Sequence, residues 1–178
     1  MENNGKDYND QQQMKSLLIL YSYHHHNTRK IAEVFAEILN AEIKMPQQTK
    51  PEELQKYDLL GFGSGIYSSK HHESILELTD NMLPVIGKKA FIFSTCGVPI
   101  AIAGQDQLDE YSAKCHSLLR EKLQAKGYQI VDEFICAGFN TNSFLKIFGG
   151  INKGRPNKED LKHTKEFATQ IERNVLRK

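Results

Sequence analysis

The chain has 178 residues, of which 39% are hydrophobic and 25% charged, enough to bury a core as one domain without disulfide or metal support. Its formal charge of +1 gives no basic footprint for nucleic acid and no acidic surface to steer it toward a basic partner. No run approaches the length that spans a bilayer. The three cysteines, Cys96, Cys115 and Cys136, have no CxxC or CxxH spacing and read as reduced thiols of a cytoplasmic protein.

Residues 1–14, MENNGKDYNDQQQM, lack an apolar h-region and an arginine-rich amphipathic pattern, so they read as a disordered polar extension rather than a targeting signal. Residues 15–178 read as one domain. The apolar run 17–20 is a buried strand that ends in a polar group, Tyr21, Ser22, Tyr23, His24, His25, His26, Asn27 and Thr28. From Thr28 onward Ile31, Val34, Phe35, Ile38 and Leu39 recur at helical spacing, with Asn27 or Thr28 placed to cap the helix. This strand, loop and helix start sets backbone N–H groups and hydroxyls at the positive end of a helix dipole, which is a natural anion site. The anion expected there is a phosphate.

A short second strand is predicted over 41–45, then an interruption at Pro46 and the polar stretch after it. Residues 57–65, YDLLGFGSG, form an apolar, glycine-rich strand leading into the loop IYSSKHH, with helical spacing resuming at Ile75, Leu76 and Leu78. A further apolar run, 88–95, leads into the Gly- and Pro-containing loop CGVPIAIAGQ. A long helix is predicted over 106–126 with a stop at Gly127, a last strand over 128–137, a glycine-containing connection over 139–156, and a final helix capped by Asn157 and running to about residue 173.

Five strands alternating with helices, several of them nearly continuous apolar runs, imply a parallel sheet covered on both faces in a doubly wound α/β domain. Ligands of such sheets bind beyond the carboxyl ends of the strands, where strand order reverses. Three loops meet there: SYHHHNT, IYSSKHH and TCGVP.

The loop around Asn27 and Thr28, followed by RKIAEVFA, together with GFGSGIYSSKHH, FIFSTCG and GGINKGRPNKEDL, resembles the flavodoxin family. The likeness covers the chain from Met14 onward. It implies a flavodoxin-like five-stranded sheet of order 2-1-3-4-5 with helices on both faces, the order that the general description of this fold already gives, and FMN as cofactor. On that resemblance, Ser22, Tyr23, His24, His25, His26, Asn27 and Thr28 hold the ribityl phosphate. Ile66, Tyr67, Ser68 and Ser69, and Thr95, Cys96, Gly97 and Val98, face the isoalloxazine ring. No catalytic residue and no metal ligand is assigned.

His26 stands where the family usually has glycine, and His24 and His25 replace hydroxyl residues. Imidazole N–H groups are then the expected phosphate donors, with affinity for FMN that weakens as pH rises. A metal site is the lesser reading of the histidine run, because neighbours in a tight loop rarely aim at one ion and no cysteine or carboxylate is close in sequence. His71 and His72 read as solvated helix-start residues more readily than as acid–base catalysts, and Cys96 as a packing residue. Serines at 68 and 69, where flavodoxins often use glycine, make a peptide flip there harder.

The expected function is electron transfer between redox partner proteins, a reductase and an acceptor, with no nucleic acid and no membrane span. The alternative is an FMN-dependent oxidoreductase acting on a quinone or a protoporphyrinogen-like substrate.

Overall fold

In the computed structural model, which describes residues 14–99, 105–142, 145, 147 and 149–176, the sheet is organised around β1 (Ser16–Tyr21). Leu17, Leu18, Ile19 and Leu20 are all buried. A strand with apolar side chains pointing to both faces is stable only when both faces are covered. The expected extension over 1–14 lies, apart from Met14, outside the described residues.

Chain order is β1, α1 (Asn27–Leu39), β2 (Ala41–Lys44), two 3-10 turns, β3 (Leu59–Tyr67), β4 (Lys70–His71), α2 (Glu73–Asn81), β5 (Lys89–Cys96), α3 (Gln105–Ala125), β6 (Gln129–Ala137) and α4 (Lys158–Leu176). The sheet runs β2-β1-β3-β5-β6, and all four pairings along that path are parallel. This is the predicted order of five parallel strands. One element was not foreseen: β4, two residues long, folds back antiparallel on the end of β3, pairing Ile66 with His71 and Tyr67 with Lys70.

One face of the sheet packs Leu17, Ile19, Leu60, Phe62 and Ile92 against α2 and α3 residues such as Ile75, Leu76, Leu119 and Leu123. The other packs Leu18, Leu20, Leu59, Phe91 and Phe93 against Ile31, Phe35 and Leu39 of α1 and Ala168 and Ile171 of α4. Glycine in β3 has a packing cause. Gly61 and Gly63 pair with Phe91 and Phe93 of β5, and a methyl on either glycine would collide with those rings. Two large rings are therefore seated in the space that two missing side chains leave.

The helix caps follow local chemistry unevenly. Asn157 caps α4 as predicted, its Oδ1 accepting from the N–H groups of Glu159 at 2.9 Å and Asp160 at 3.1 Å. At α1 the expectation fails. The residue before the first turn is His26, in the left-handed region, and no side chain of that residue caps the helix. Asn27 and Thr28 are turned inward instead. Asn27 Nδ2 donates to the Phe139 carbonyl at 2.8 Å, and the Thr28 and Thr95 hydroxyls meet at 2.8 Å.

A second group of polar residues crosses the α2–α3 face. Burial alone would raise the Glu133 carboxyl, but hydrogen bonds from His116 and Arg120 outweigh it and hold the group down at about 2. A carboxylate depressed from its ordinary 4.5 contributes stability that is present above about 4.5 and is lost as pH falls from there toward 2. Glu133→Gln is therefore expected to flatten the acid limb of the stability profile in that window. Urea midpoints measured across it would check this, and an unchanged acid limb would contradict it.

Candidate functional site: a cleft at the strand C-termini

The sheet order reverses at β1, between β2 on one side and β3 on the other. A cleft lies there at the carboxyl ends of the strands. It is lined by Ser22, Tyr23, His24, His25, Asn27 and Thr28 after β1, by Gly65, Ile66 and Tyr67 of β3, by Thr95 and Cys96 of β5 and Gly97 just after it, and by Gly138, Phe139, Asn140 and Asn142 after β6. Of the residues singled out from sequence, eleven line this one cleft: Ser22, Tyr23, His24, His25, Asn27, Thr28, Ile66, Tyr67, Thr95, Cys96 and Gly97.

The other four stand at its margins. His26 is the residue before α1. Ser68 lines a neighbouring groove, and Ser69 is the second turn residue of the β3–β4 hairpin. The Val98 carbonyl accepts from Asn152 Nδ2 at 2.8 Å, and its side chain packs with Cys96, Leu108 and Ile135.

The first loop is tightly constrained. His25 and His26 both have left-handed backbones, with φ of 53° and 52°, a conformation that costs an L-residue roughly 1–2 kcal/mol. The His25 ring, which sequence suggested as a phosphate donor, reaches across the cleft. Its Nε2 lies 2.7 Å from Thr141 Oγ1, and the ring packs on Phe139 at 4.5 Å. It ties the first loop to the loop after β6. Tyr23 is largely exposed and meets His24 edge-on at 5.1 Å.

What the loop leaves open is the first turn of α1. Ser22 Oγ accepts from the Arg29 N–H at 3.2 Å, while Asn27 Oδ1 is buried with no hydrogen-bond partner. Helix N–H groups without a side-chain cap carry the positive end of the dipole. The cleft is narrow and open to solvent, with a volume of about 70 Å³. The uncapped N–H groups, rather than the Asn27 oxygen, which only accepts, fit the phosphate of a cofactor.

Several contributors were not visible in sequence. Gly138 has no room for a side chain, because a methyl there would collide with the Asn27 amide, just as Gly97, named from sequence, has none beside Asn140. The glycine-containing connection after β6 forms one wall through Phe139, Asn140 and Asn142. His71 is also placed differently from expectation, whereas His72 is a helix-start residue as expected, though half-buried. His71 is fully buried and belongs to β4, while His72 is the N-cap of α2, its Nδ1 accepting from the Ser74 N–H at 3.2 Å. Burial lowers the pKa of both rings.

The hairpin between β3 and β4 turns through Ser68 and Ser69, both with positive φ, 48° and 61°. Two left-handed residues in a two-residue loop match the twist of a hairpin, although Ser-Ser is an unusual occupant. Tyr67 lies edge-on to Tyr21 at 6.4 Å and to His72 at 5.4 Å, while Tyr21 and His72 stack at 3.4 Å. Tyr67 thus stands between the cleft and a second groove of about 490 Å³ lined by Tyr21, Tyr23, His24, Tyr67, Ser68, Lys70, His71, His72 and Glu73.

All three cysteines are free and buried, and burial pushes the Cys96 thiol up to about 11. A thiol reagent at neutral pH is expected to label none of them in the native protein and all of them in denaturant. Rapid native labelling of Cys96 would contradict a packing role. Among the described residues, no three His, Cys, Asp or Glu side chains are grouped to hold a metal ion, and no helix is long and apolar enough to cross a membrane.

A doubly wound sheet of order β2-β1-β3-β5-β6, carrying an open helix N-terminus at its switch point, defines a flavodoxin-like α/β protein. The flavodoxin-domain family model matches residues 18–138, and the chain belongs to that family. An uncharacterized protein of Methanocaldococcus jannaschii is 45% identical over 161 residues, which is 90% of this chain and 100% of that protein. Among solved structures, Flavodoxin 2 from Bacillus cereus superposes with a TM-score of 0.66 at 17% identity, covering 90% of this chain and 99% of that one. A short-chain flavodoxin associated with a PDU bacterial microcompartment gives 0.63 at 15% identity, over 91% and 99%. At these identities the two structures speak to the fold alone.

Proposed function

We propose that the chain binds FMN in the cleft at the ends of β1, β3 and β5 and carries electrons between two redox partner proteins in the cytoplasm. The observation that supports this most is the start of α1. Its first turn has no side-chain cap from His26, and Asn27 and Thr28, the two residues best suited to cap it, are committed elsewhere. An anion is the natural occupant of such a position.

When bound, FMN supplies the redox chemistry. The chain's own residues do the rest. The loop 22–28 receives the phosphate, His25 and Thr141 hold that loop against the far wall, and the β3–β4 hairpin with the loop after β5 borders the ring. Burial raises the Tyr67 phenol, so this side chain stays neutral beside a redox cofactor and adds an aromatic surface rather than a charge.

A second reading is supported by the 490 Å³ groove on the other side of Tyr67. Its aromatic walls, with Lys70 at the hairpin, suit a flat acceptor such as a quinone or a protoporphyrinogen-like substrate, which would make the protein an FMN-dependent oxidoreductase. Reoxidation of the reduced, FMN-loaded protein separates the two. A carrier is expected to reduce ferricytochrome c and to react with quinones at rates that rise linearly with their concentration. Saturation kinetics with a quinone would favour the oxidoreductase.

A further inference from the structure

Behind the β3–β4 hairpin lies a buried chain of polar groups that FMN binding does not call for. Ser64 Oγ donates to the Gly65 carbonyl at 2.7 Å and accepts from the His72 N–H at 3.0 Å. A hydroxyl has one proton. The third group on that oxygen, His71 Nδ1 at 3.0 Å, is therefore an N–H donor, and His71 Nε2 is the bare nitrogen. That atom is buried and has no hydrogen-bond partner.

The His71 ring faces the ring of His116 at 4.9 Å. His116 Nδ1 lies 3.0 Å from Glu133 Oε2, its Nε2 lies 2.7 Å from Ser94 Oγ, and Arg120 grips both carboxylate oxygens, Nη2 reaching Oε2 at 2.8 Å and Nε binding Oε1. Ser94, His116 and Glu133 thus stand in the order of nucleophile, base and orienting carboxylate. Ser94 is nevertheless fully buried in mid-strand, paired with Ser64, so no substrate meets its hydroxyl. The use of this chain must be sought at its other end.

That end is the strained turn. Left-handed Ser68 and Ser69 persist only if the surrounding structure over-determines them, and the hairpin contributes just two antiparallel residue pairs of its own. Its two strands are joined beneath by Ser64, whose hydroxyl binds the Gly65 carbonyl on the β3 side and, on the β4 side, the His71 ring and the His72 N–H just past the strand.

We propose that His71 is the positioning residue of the cleft-facing hairpin, holding residues 65–69 in place through Ser64 while His116, Glu133 and Arg120 brace its ring from behind. This rests on the FMN reading only in assigning the hairpin to the cofactor. The neutral ring is the holding form. A proton on Nε2 would create a buried donor facing His116, with Glu133 and Arg120 beyond it, Ser64 and Ser94 on the sheet side, and His72 and Glu73 toward α2. Acidification should therefore loosen the hairpin.

The test compares the wild type with His71→Leu, which cannot donate, and His71→Asn, whose side-chain amide can donate to Ser64. Amide hydrogen exchange on the FMN-free proteins reads the hairpin directly through the His72 N–H, with the β1 and β5 amides as the internal reference. A buried acceptor left without its donor predicts a loss of His72 protection in His71→Leu of about tenfold or more, unchanged protection in β1 and β5, and recovery in His71→Asn. The FMN dissociation constant should rise by a similar factor in His71→Leu and recover in His71→Asn.

In the wild type, His72 protection corrected for intrinsic exchange should also fall as pH drops below about 6.5, where His71 takes up a proton in the opened hairpin while burial holds the native ring neutral to well below that value. In His71→Asn that fall should be absent. Equal loss throughout the sheet, no recovery in His71→Asn, or a wild-type profile without the acid fall would each overturn the proposal. The wild-type titration decides the matter even where a variant does not fold. A wild type that binds no FMN would defeat the functional reading and leave the exchange result to stand by itself.

Discussion

Ser22→Asp is expected to make the FMN-free protein slightly more stable while lowering its FMN affinity by at least about a hundredfold. The hydroxyl of Ser22 already accepts from the Arg29 N–H in the first turn of α1. A carboxylate in its place offers a stronger acceptor at the positive end of the helix, worth about 0.3–1 kcal/mol. The same charge sits where the phosphate is placed. Two unit charges some 4 Å apart repel by about 4 kcal/mol at an effective dielectric of 20, and the phosphate carries more than one. The opposed signs of the two effects distinguish this outcome from simple damage to the loop. Urea unfolding reads the first and quenching of flavin fluorescence the second. Unchanged affinity would place the phosphate elsewhere.

Phe35→Ala has the largest expected effect on the fold, a loss of about 3–5 kcal/mol in unfolding free energy. Phe35 is fully buried. From α1 its ring meets Phe91 at 5.2 Å and Phe93 at 5.1 Å on β5, Phe134 at 5.7 Å on β6 and Phe167 at 5.9 Å on α4. Four aromatic partners add to the transfer cost and leave a cavity that rings anchored on three separate elements close poorly, so the value should lie toward the upper end. A loss that size is a large share of the roughly 5–15 kcal/mol that holds a domain together. Urea denaturation of the FMN-free protein checks it, and a loss below about 1 kcal/mol would mean that the α1–α4 layer is packed far more loosely than the ring distances imply.

The strands of this fold could be read from sequence because their burial is written in composition. The run 17–20 has no polar interruption, and only a strand covered on both faces hides it. The glycines of β3 marked the strand less clearly, since their cause is Phe91 and Phe93 on a neighbour that is thirty residues away in sequence. The hairpin was missed for a related reason. Its turn is Ser68–Ser69, without the Asn-Gly or Asp-Gly pair that announces such loops, and β4 is two residues long.

The site divides along the same line. Loop residues 22–28 announced an anion site through their position between a strand and a helix, which is local information. What each side chain does there is not local. Asn27 looked like a cap and instead binds Phe139, 112 residues onward, and His25 looked like a phosphate donor and reaches Thr141, 116 residues onward. His71 appeared solvated because it borders a helix start, yet one residue of strand pairing turns its ring into the interior, toward α3. Polar residues whose partners lie on distant elements carry no periodic signal, and so the buried histidine pair emerges only from the fold.

The measurement that tests the central claim most directly is a titration of the purified protein with FMN, followed by desalting and a visible absorption spectrum. The cleft at the start of α1 predicts stoichiometric flavin retained with the protein, a perturbed absorption band and quenched fluorescence. A colourless protein after desalting, with no quenching at any FMN concentration, would contradict it.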